Sequence, residues 1–407
     1  MNHTRCRICA RPLPPPFLDL GAMPLANSFL ASPGEAAGEA RYPLAVTACG
    51  ECGLAQLTHV VPAATLYRDY IYVSSTSEAV RAHAASLAER CTARYGWDRS
   101  ALVVEVASND GTVLKAMQQR GVRVLGVEPA LNVAAIAEAA GVPTVPEFFT
   151  EATATTVRAE QGEAAAILGR HVFAHVDDVH DFLRGVERLL ARDGVLLLEV
   201  PYFGELIEKL EFDTVYHEHL SYFSIAPVAR LCADHGLSLV DVEPVDLHGG
   251  SVIFHIQRGR RAPTARMEQM LADERTRGLH EPATLDAFVT KLAAWKGRFE
   301  ALVAETVARG GRLIGYGAAA KANTLLNYCP DVARALACIL DRSPHKCGRF
   351  TPGTHRPVVA ADEWKACGAT HMLILAWNFR DEIMRQMKPF ADAGGRFVIP
   401  IPEPEIV

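Results

Sequence analysis

Val104-Glu105-Val106-Ala107-Ser108-Asn109-Asp110-Gly111-Thr112 is the stretch whose reading decides how this chain folds. An apolar run enters a turn of small residues and leaves it as a helix predicted from Gly111 to Gln119. Such a run is typical of a strand buried on both faces of a parallel sheet. The next strand, RVLGVEP, closes on Gly126-Val127-Glu128-Pro129. A tight turn lets a nucleoside lie against N–H groups at a helix N-terminus, and an acid ending the following strand can take both ribose hydroxyls. The competing reading has Asn109 and Asp110 merely capping a helix; Glu128 favours the nucleoside. Gly111 is the only glycine in the turn, and no G-x-G-x-x-G occurs there. That pattern disfavours a dinucleotide and suits a donor without phosphate, S-adenosylmethionine. Its expected contacts are Glu105, Ala107, Asn109, Asp110, Gly111 and Glu128.

Outward from this point the units alternate. A helical stretch, SEAVRAHAASLAERCTARYG, precedes the first strand, and LNVAAIAEAA follows the second. Strand AAAILGRHVF, helix VHDFLRGVERLLARDG and strand GVLLLEVPYF come next. This rhythm implies a parallel sheet with helices on both faces. Leu239 to Gln257 reads as two strands joined by a turn at His248-Gly249-Gly250. Leu285, Phe288, Leu292, Trp295, Phe299 and Leu302 then recur at helical spacing. RLIGYG opens a second α/β set, continued by LACILD, HMLILAW and RFVIPIP. The expected fold is α/β in three units: a four-cysteine module over residues 1–78, a Rossmann-like class I methyltransferase domain over 79–246, and a Rossmann-like α/β domain over 247–407.

The bulk numbers agree. A length of 407 residues suits two or three domains, and 49% hydrophobic with 22% charged residues is ordinary for a globular chain. A net charge of -6 argues against a nucleic-acid partner. No apolar run is long enough to span a bilayer, which argues against a membrane partner, and MNHTRCRICA lacks the apolar core of a secretion signal. A cytoplasmic location follows, where cysteines bind metal more readily than they form disulfides. Cys6 and Cys9 form one C-x2-C knuckle, Cys49 and Cys52 another, and four thiolates complete a closed, structural zinc site. The rival reading is four free thiols. The remaining cysteines look like packing residues.

Two further segments carry chemistry. Past strand VLLLEVPYF comes Phe212-Asp213-Thr214-Val215-Tyr216-His217-Glu218-His219-Leu220-Ser221-Tyr222-Phe223, with imidazole, carboxylate and phenol in four successive positions. One such group can abstract a proton, another can orient it, and a third can bond a developing enolate oxygen. His175 ends another strand and can face the same crevice. A metal site using His217 and His219 with His171 and His175 competes, as does a plain polar surface. Gly315-Tyr316-Gly317-Ala318-Ala319-Ala320 satisfies G-x-G-x-x-A after a strand, with Asp341 closing the next. The alternative function is therefore an NAD-dependent nucleotide-sugar oxidoreductase. Lys321, Asn323, Asn327 and Tyr316 stand where a substrate's phosphate or sugar hydroxyls can be held.

The ordered set C-x2-C, PLANSFL, C-x2-C-GLAQL, YRDYIYVSSTS, EVASNDG, YHEHLSYFS, HGGS and GYGAAAKANTLLNYC spans the chain and resembles the sugar C-methyltransferases of deoxysugar biosynthesis in antibiotic pathways. The resemblance implies S-adenosylmethionine and zinc as cofactors and a dTDP-linked 4-keto sugar as substrate. Methylation would fall on a carbon next to the ketone, C-3 in preference to C-5. It also implies that the C-terminal domain holds the nucleotide sugar and no dinucleotide. By the same resemblance His219 is the base, Tyr70, His175 and Tyr216 position the sugar or stabilise the enolate, and Glu218 orients a neighbour. Ala107 stands where relatives commonly carry glycine, and Tyr72 lies close enough to Tyr70 to exchange places with it. Oligomeric state is not legible, and a monomer is admissible.

Overall fold

The computed structural model describes residues 3–67, 73–246 and 249–407. Among these residues the strands form three sheets. The central sheet runs Thr144–Val145, Arg123–Val127, Leu102–Val106, Ala164–Arg170, Leu190–Pro201, Ser251–Arg258, Leu237–Val245. The first five are parallel, and Ser251–Arg258 is antiparallel to both neighbours. Sequence markers explain the helix ends. Ser77 caps helix Glu78–Tyr95, and Gly96 ends it with φ +65°; the Asp178 carboxylate caps Val179–Leu189.

Residue 246 stands between the two strands of a hairpin. Ser251–Arg258 inserts between Leu190–Pro201 and Leu237–Val245, so the central sheet continues to Arg258. Sequence alone shows two consecutive strands and not that the second slots inside the first. The turn residue His248 lies outside the described residues.

The C-terminal sheet runs Val358–Ala360, Leu336–Asp341, Leu313–Tyr316, His371–Ile374, Arg396–Ile399, Glu405–Ile406, parallel except for the last strand. The predicted apolar stripe lies on helix Pro282–Ala308, where Leu285, Phe288, Leu292, Trp295 and Phe299 are buried. The Trp295 indole N–H closes the packing with a 2.8 Å bond to the Pro400 carbonyl.

The four-cysteine module is not a separate body. Its antiparallel sheet, Leu18–Met23, Tyr42–Ala48 and Ala55–Leu57, takes its fourth strand, Ser221–Tyr222, from the segment that carries His219. Leu18, Leu44 and Leu57 share one apolar core with Val215, Leu220 and the C-terminal residues Leu325 and Leu373. Cys6, Ile8 and Cys52 pack instead against the central domain's Phe173, Phe223 and Ile225. A segment too short for its own core is thus wedged between two larger ones.

Candidate functional site: a donor crevice and a buried histidine pair

Strand Leu102–Val106 lies where the strand order reverses, between Arg123–Val127 and Ala164–Arg170. Open α/β sheets bind ligands beyond such a point. The turn that follows enters the left-handed region at alternate residues, with φ of +52° at Ala107, +51° at Asn109 and +74° at Gly111. A β-carbon on Gly111 would stand 2.9 Å from Val142 Cγ2, so this position needs glycine. Ala107 accepts the conformation at a cost of about 1–2 kcal/mol. Buried Glu128 ties the turn to the next strand, accepting the N–H of Asn109 at 2.8 Å and of Ala130 at 2.9 Å. Burial pushes its carboxyl upward while those two bonds pull it back.

Asn109 Oδ1 and Asp110 Oδ2 accept the N–H groups of Ser74 (3.0 Å) and Ser75 (2.9 Å), and Asp110 Oδ1 takes the Thr112 hydroxyl at 2.6 Å. Helix Thr112–Gln118 takes Gly111 as its N-cap with no side-chain cap bond, so these side chains do not serve as the caps of that helix. Their side chains hold the turn Ser74–Thr76, and their backbone shapes the crevice. Glu105 is buried beneath the turn with Oε2 unpartnered and Arg170 Nη1 at 3.9 Å. Burial pushes it up to about 8. Arg170 also bonds buried Glu199 at 3.1 Å, and His83 and His171 lie 3.0 and 3.3 Å from that carboxylate. Burial opposes ionisation of Glu199, but the Arg170 charge and the hydrogen bonds from His171 and His83 hold it well below the usual range.

The acid–base segment converges as the sequence suggested, with one exception. His219 Nδ1 donates to the Thr214 carbonyl at 2.9 Å, which leaves Nε2 unprotonated, and the Tyr216 hydroxyl donates to Nε2 at 2.7 Å. The His175 ring stands edge-on to it, centroids 5.0 Å apart. The Tyr67 hydroxyl donates to the Glu218 carbonyl at 3.2 Å and receives His175 Nδ1–H at 2.9 Å. Burial, with each ring beside another imidazole, lowers His175 to about 3 and His219 well below the ordinary imidazole value. Both rings are thus neutral at physiological pH. Glu218 Oε1 accepts the Asn27 amide at 2.7 Å, and burial raises its carboxyl to about 7. His217 is the exception. Its Nε2 donates to the Tyr42 carbonyl at 3.2 Å, away from the pair, which removes the two-histidine metal reading. Tyr70 and Tyr72 lie outside the described residues.

The C-terminal residues divide. Lys321 lies over the Trp377 ring at 4.8 Å, and the Trp377 indole N–H bonds Asp213 Oδ2 at 2.7 Å, beside Thr214. Asn323 is buried, its amide donating to the Ala26 carbonyl at 2.6 Å, so that donor supports the PLANSFL segment. Tyr316 lies on the other side of the C-terminal sheet. Strand alternation turns it with Ile314 and Ile374 to the sheet face opposite the one packed on Val215 and Leu220, and its hydroxyl reaches Gln386 at 3.4 Å. In the second glycine-bearing turn Asp341 accepts the Ala318 N–H at 2.7 Å and the Ser343 N–H at 2.8 Å.

The Sγ atoms of Cys6, Cys9, Cys49 and Cys52 all lie within 4.8 Å of one another, with Cys6–Cys52 and Cys9–Cys49 at 3.5 Å. A tetrahedron of thiolates around zinc has edges of about 3.8 Å. The set fits a closed zinc site.

Several polar residues of this region carry no sequence signal. Tyr67, Arg170, Glu199 and Lys346 act through partners far away in the chain. Lys346 bonds the Ala318 carbonyl at 2.7 Å and lies over Phe29. Only YRDYIYVSSTS, which contains Tyr67, hinted at one of them.

Family models match a zinc binding domain over residues 6–67, a methyltransferase domain over 79–242 and a C-methyltransferase C-terminal domain over 246–402. The C-methyltransferase NovU of Streptomyces niveus is 36% identical over 404 residues, 99% of this chain and 96% of that one. This chain belongs to the same C-methyltransferase family. It is an S-adenosylmethionine-dependent C-methyltransferase with a four-cysteine zinc module. The oxidoreductase alternative gives way to that membership. Solved methyltransferases overlay loosely. ChlM of Synechocystis, a magnesium protoporphyrin IX methyltransferase, gives a TM-score of 0.34 at 12% identity, over 44% of this chain and 79% of its own. The mitomycin 7-O-methyltransferase MmcR gives 0.35 at 20%, over 46% and 56%. Among the described residues no helix is long and apolar enough to cross a membrane.

Proposed function

We propose that this C-methyltransferase acts on a dTDP-linked 4-keto deoxysugar, removing the proton at C-3 next to the ketone and methylating that carbon. The observation that carries this reading is the neutral His219 ring, its Nδ1 pinned by the Thr214 carbonyl and its Nε2 lone pair directed at the Tyr216 hydroxyl. A carbon next to a ketone becomes nucleophilic only when deprotonated, and a buried, unprotonated imidazole beside a phenol supplies both base and oxyanion donor. In this scheme Tyr216 shifts its hydroxyl from Nε2 to the ketone oxygen, which frees Nε2 to take the proton. His175 and Tyr70 position the sugar, and Glu218 is held against Asn27. Glu128 takes the donor's ribose hydroxyls, and Glu105 with the backbone of Ala107 to Gly111 lines the rest of that pocket. The donor supplies an electrophilic methyl on a sulfonium. Lys321 is the cation offered to the nucleotide sugar from the C-terminal domain. Incubation with methyl-labelled S-adenosylmethionine and a panel of nucleotide-linked 4-keto sugars, with the label located by NMR, tests the proposal. Label at C-3 supports it, and label on oxygen, nitrogen or no sugar at all overturns it.

A further inference from the structure

Arg7 lies between two zinc-ligating cysteines, a place where a charged side chain normally points to water, yet its side chain is 1% exposed. Its backbone N–H donates to Gln56 Oε1 at 2.9 Å. Its guanidinium donates from Nη1 to the Leu220 carbonyl at 3.1 Å and the Leu57 carbonyl at 3.5 Å, and from Nε to Asp177 Oδ1 at 3.1 Å. Leu220 follows His219 directly. Its N–H donates at 2.7 Å to the carbonyl of Ala174, the residue before His175, and its carbonyl also receives Leu57 N–H at 3.0 Å. Leu220 therefore joins the two histidine-bearing segments through its N–H, and Arg7 grips the same residue's carbonyl from the knuckle.

We infer that Arg7 is a positioning residue for the reaction: anchored by the zinc knuckle, it sets the spacing and tilt of His219 against His175. The inference rests on the proposed roles of those two rings. Only a planar guanidinium reaches two carbonyls and a carboxylate together; an ammonium is a point donor on a flexible stem. Burying this cation with a single carboxylate partner, itself half exposed, is a poor way to gain stability. Orientation of the Leu220 peptide is what the arrangement secures. A misplacement of about 1 Å at reacting groups costs up to about a hundredfold in rate.

The test compares Arg7→Met, Arg7→Lys and Asp177→Asn with wild type, using full-length protein whose zinc content is measured in every preparation. Arg7→Met is expected to retain zinc and donor affinity, to lose about tenfold to a hundredfold in kcat, and to regain part of it as Arg7→Lys. Asp177→Asn, which keeps the guanidinium and leaves a neutral acceptor for its Nε–H, weakens only that charge-assisted bond and is expected to lose a few-fold in kcat. Long-range proton–nitrogen NMR of histidine-labelled protein should show the His219 and His175 rings shifted in Arg7→Met, with His255 and His371, bonded to Tyr95 and Thr370, unmoved. That readout needs no turnover. Shifted rings in a protein that methylates no keto sugar would sink the function reading and leave this inference standing. Zinc-loaded Arg7→Met with wild-type kcat and unshifted rings overturns it. Should Arg7→Met fail to fold or lose its zinc, Asp177→Asn decides: unchanged kcat and unchanged histidine signals overturn the inference, and a drop with donor affinity intact supports it.

Discussion

Replacing His219 by asparagine separates the base from the scaffold that holds it. The asparagine amide can occupy the place of Nδ1 and still donate to the Thr214 carbonyl, so the turn from Phe212 to Leu220 should keep its shape. What disappears is the Nε2 lone pair at 2.7 Å from the Tyr216 hydroxyl. Losing a general base costs about 10²- to 10⁴-fold, which is roughly 2.7–5.5 kcal/mol of barrier. The acid side carries a second signature. Burial and the neighbouring His175 keep His219 unprotonated well below the ordinary imidazole value. Wild-type kcat/KM should therefore stay flat as pH falls through about 6.5, with its acid limb lower. The stability sign follows from the same burial. Below about pH 6.5 the unfolded chain takes up protons that the folded rings refuse, so acid destabilises the wild type, and the variant should lose less stability over that window. The assay incubates enzyme, keto sugar and S-adenosylhomocysteine in heavy water and follows exchange of the α proton by NMR. Wild type should exchange, and the variant should not. Exchange intact in His219→Asn, or a wild-type acid limb centred at or above pH 6.5, refutes the assignment and moves the base to His175 or Tyr216.

Other outcomes follow from the same structure. Metal analysis should find one zinc per chain, and Cys49→Ser should lower kcat as well as Tm, because the knuckle holds Leu220 through Arg7; a destabilised variant with full kcat would separate the metal from the chemistry. Calorimetry should show Glu128→Ala weakening S-adenosylmethionine by about tenfold or more, since the ligand contact and the two bonds to Asn109 and Ala130 vanish together; nicotinamide cofactors should give no heat, and tight NAD binding would revive the dehydrogenase reading. Glu105 is raised from 4.5 to about 8, so its contribution is complete below pH 4.5 and drains away as pH rises through 8, on the order of 5 kcal/mol. Melting of Glu105→Gln against wild type should show the variant gaining relative stability across that window, and parallel curves would refute the burial argument.

What was legible in the sequence was what is local. The strand-turn-helix at Val104 to Thr112, the acid at Glu128, the knuckles and the Leu285-to-Leu302 stripe each announce themselves within a few residues, because strand and helix periods and turn chemistry are short-range. Convergence was less legible. Nothing near Tyr67 says that it bonds His175, and nothing near Arg7 says that it reaches Leu220, since those partners are set by tertiary packing. The sheet face that Tyr316 takes was hidden for a subtler reason. In a strand buried on both faces, hydrophobicity does not reveal parity, and one residue of register decides which core a side chain enters. The strand order at 237–258 was hidden in the same way, as a consecutive pair whose second member is inserted inward.

The borrowed strand Ser221–Tyr222 also sets an order of events during synthesis. Both cysteine pairs leave the ribosome early, so the metal can be captured while most of the chain is still untranslated. The edge Ala55–Leu57 then waits for a partner that lies beyond the first five strands of the central sheet. At about 5–20 residues per second that wait is on the order of ten seconds or more. An unpaired apolar edge is sticky for as long as it stays open. A nascent chain halted before residue 221 should thus be a good client for a holding chaperone and a poor one after it, which makes this enzyme's yield in a foreign host a question of translation speed.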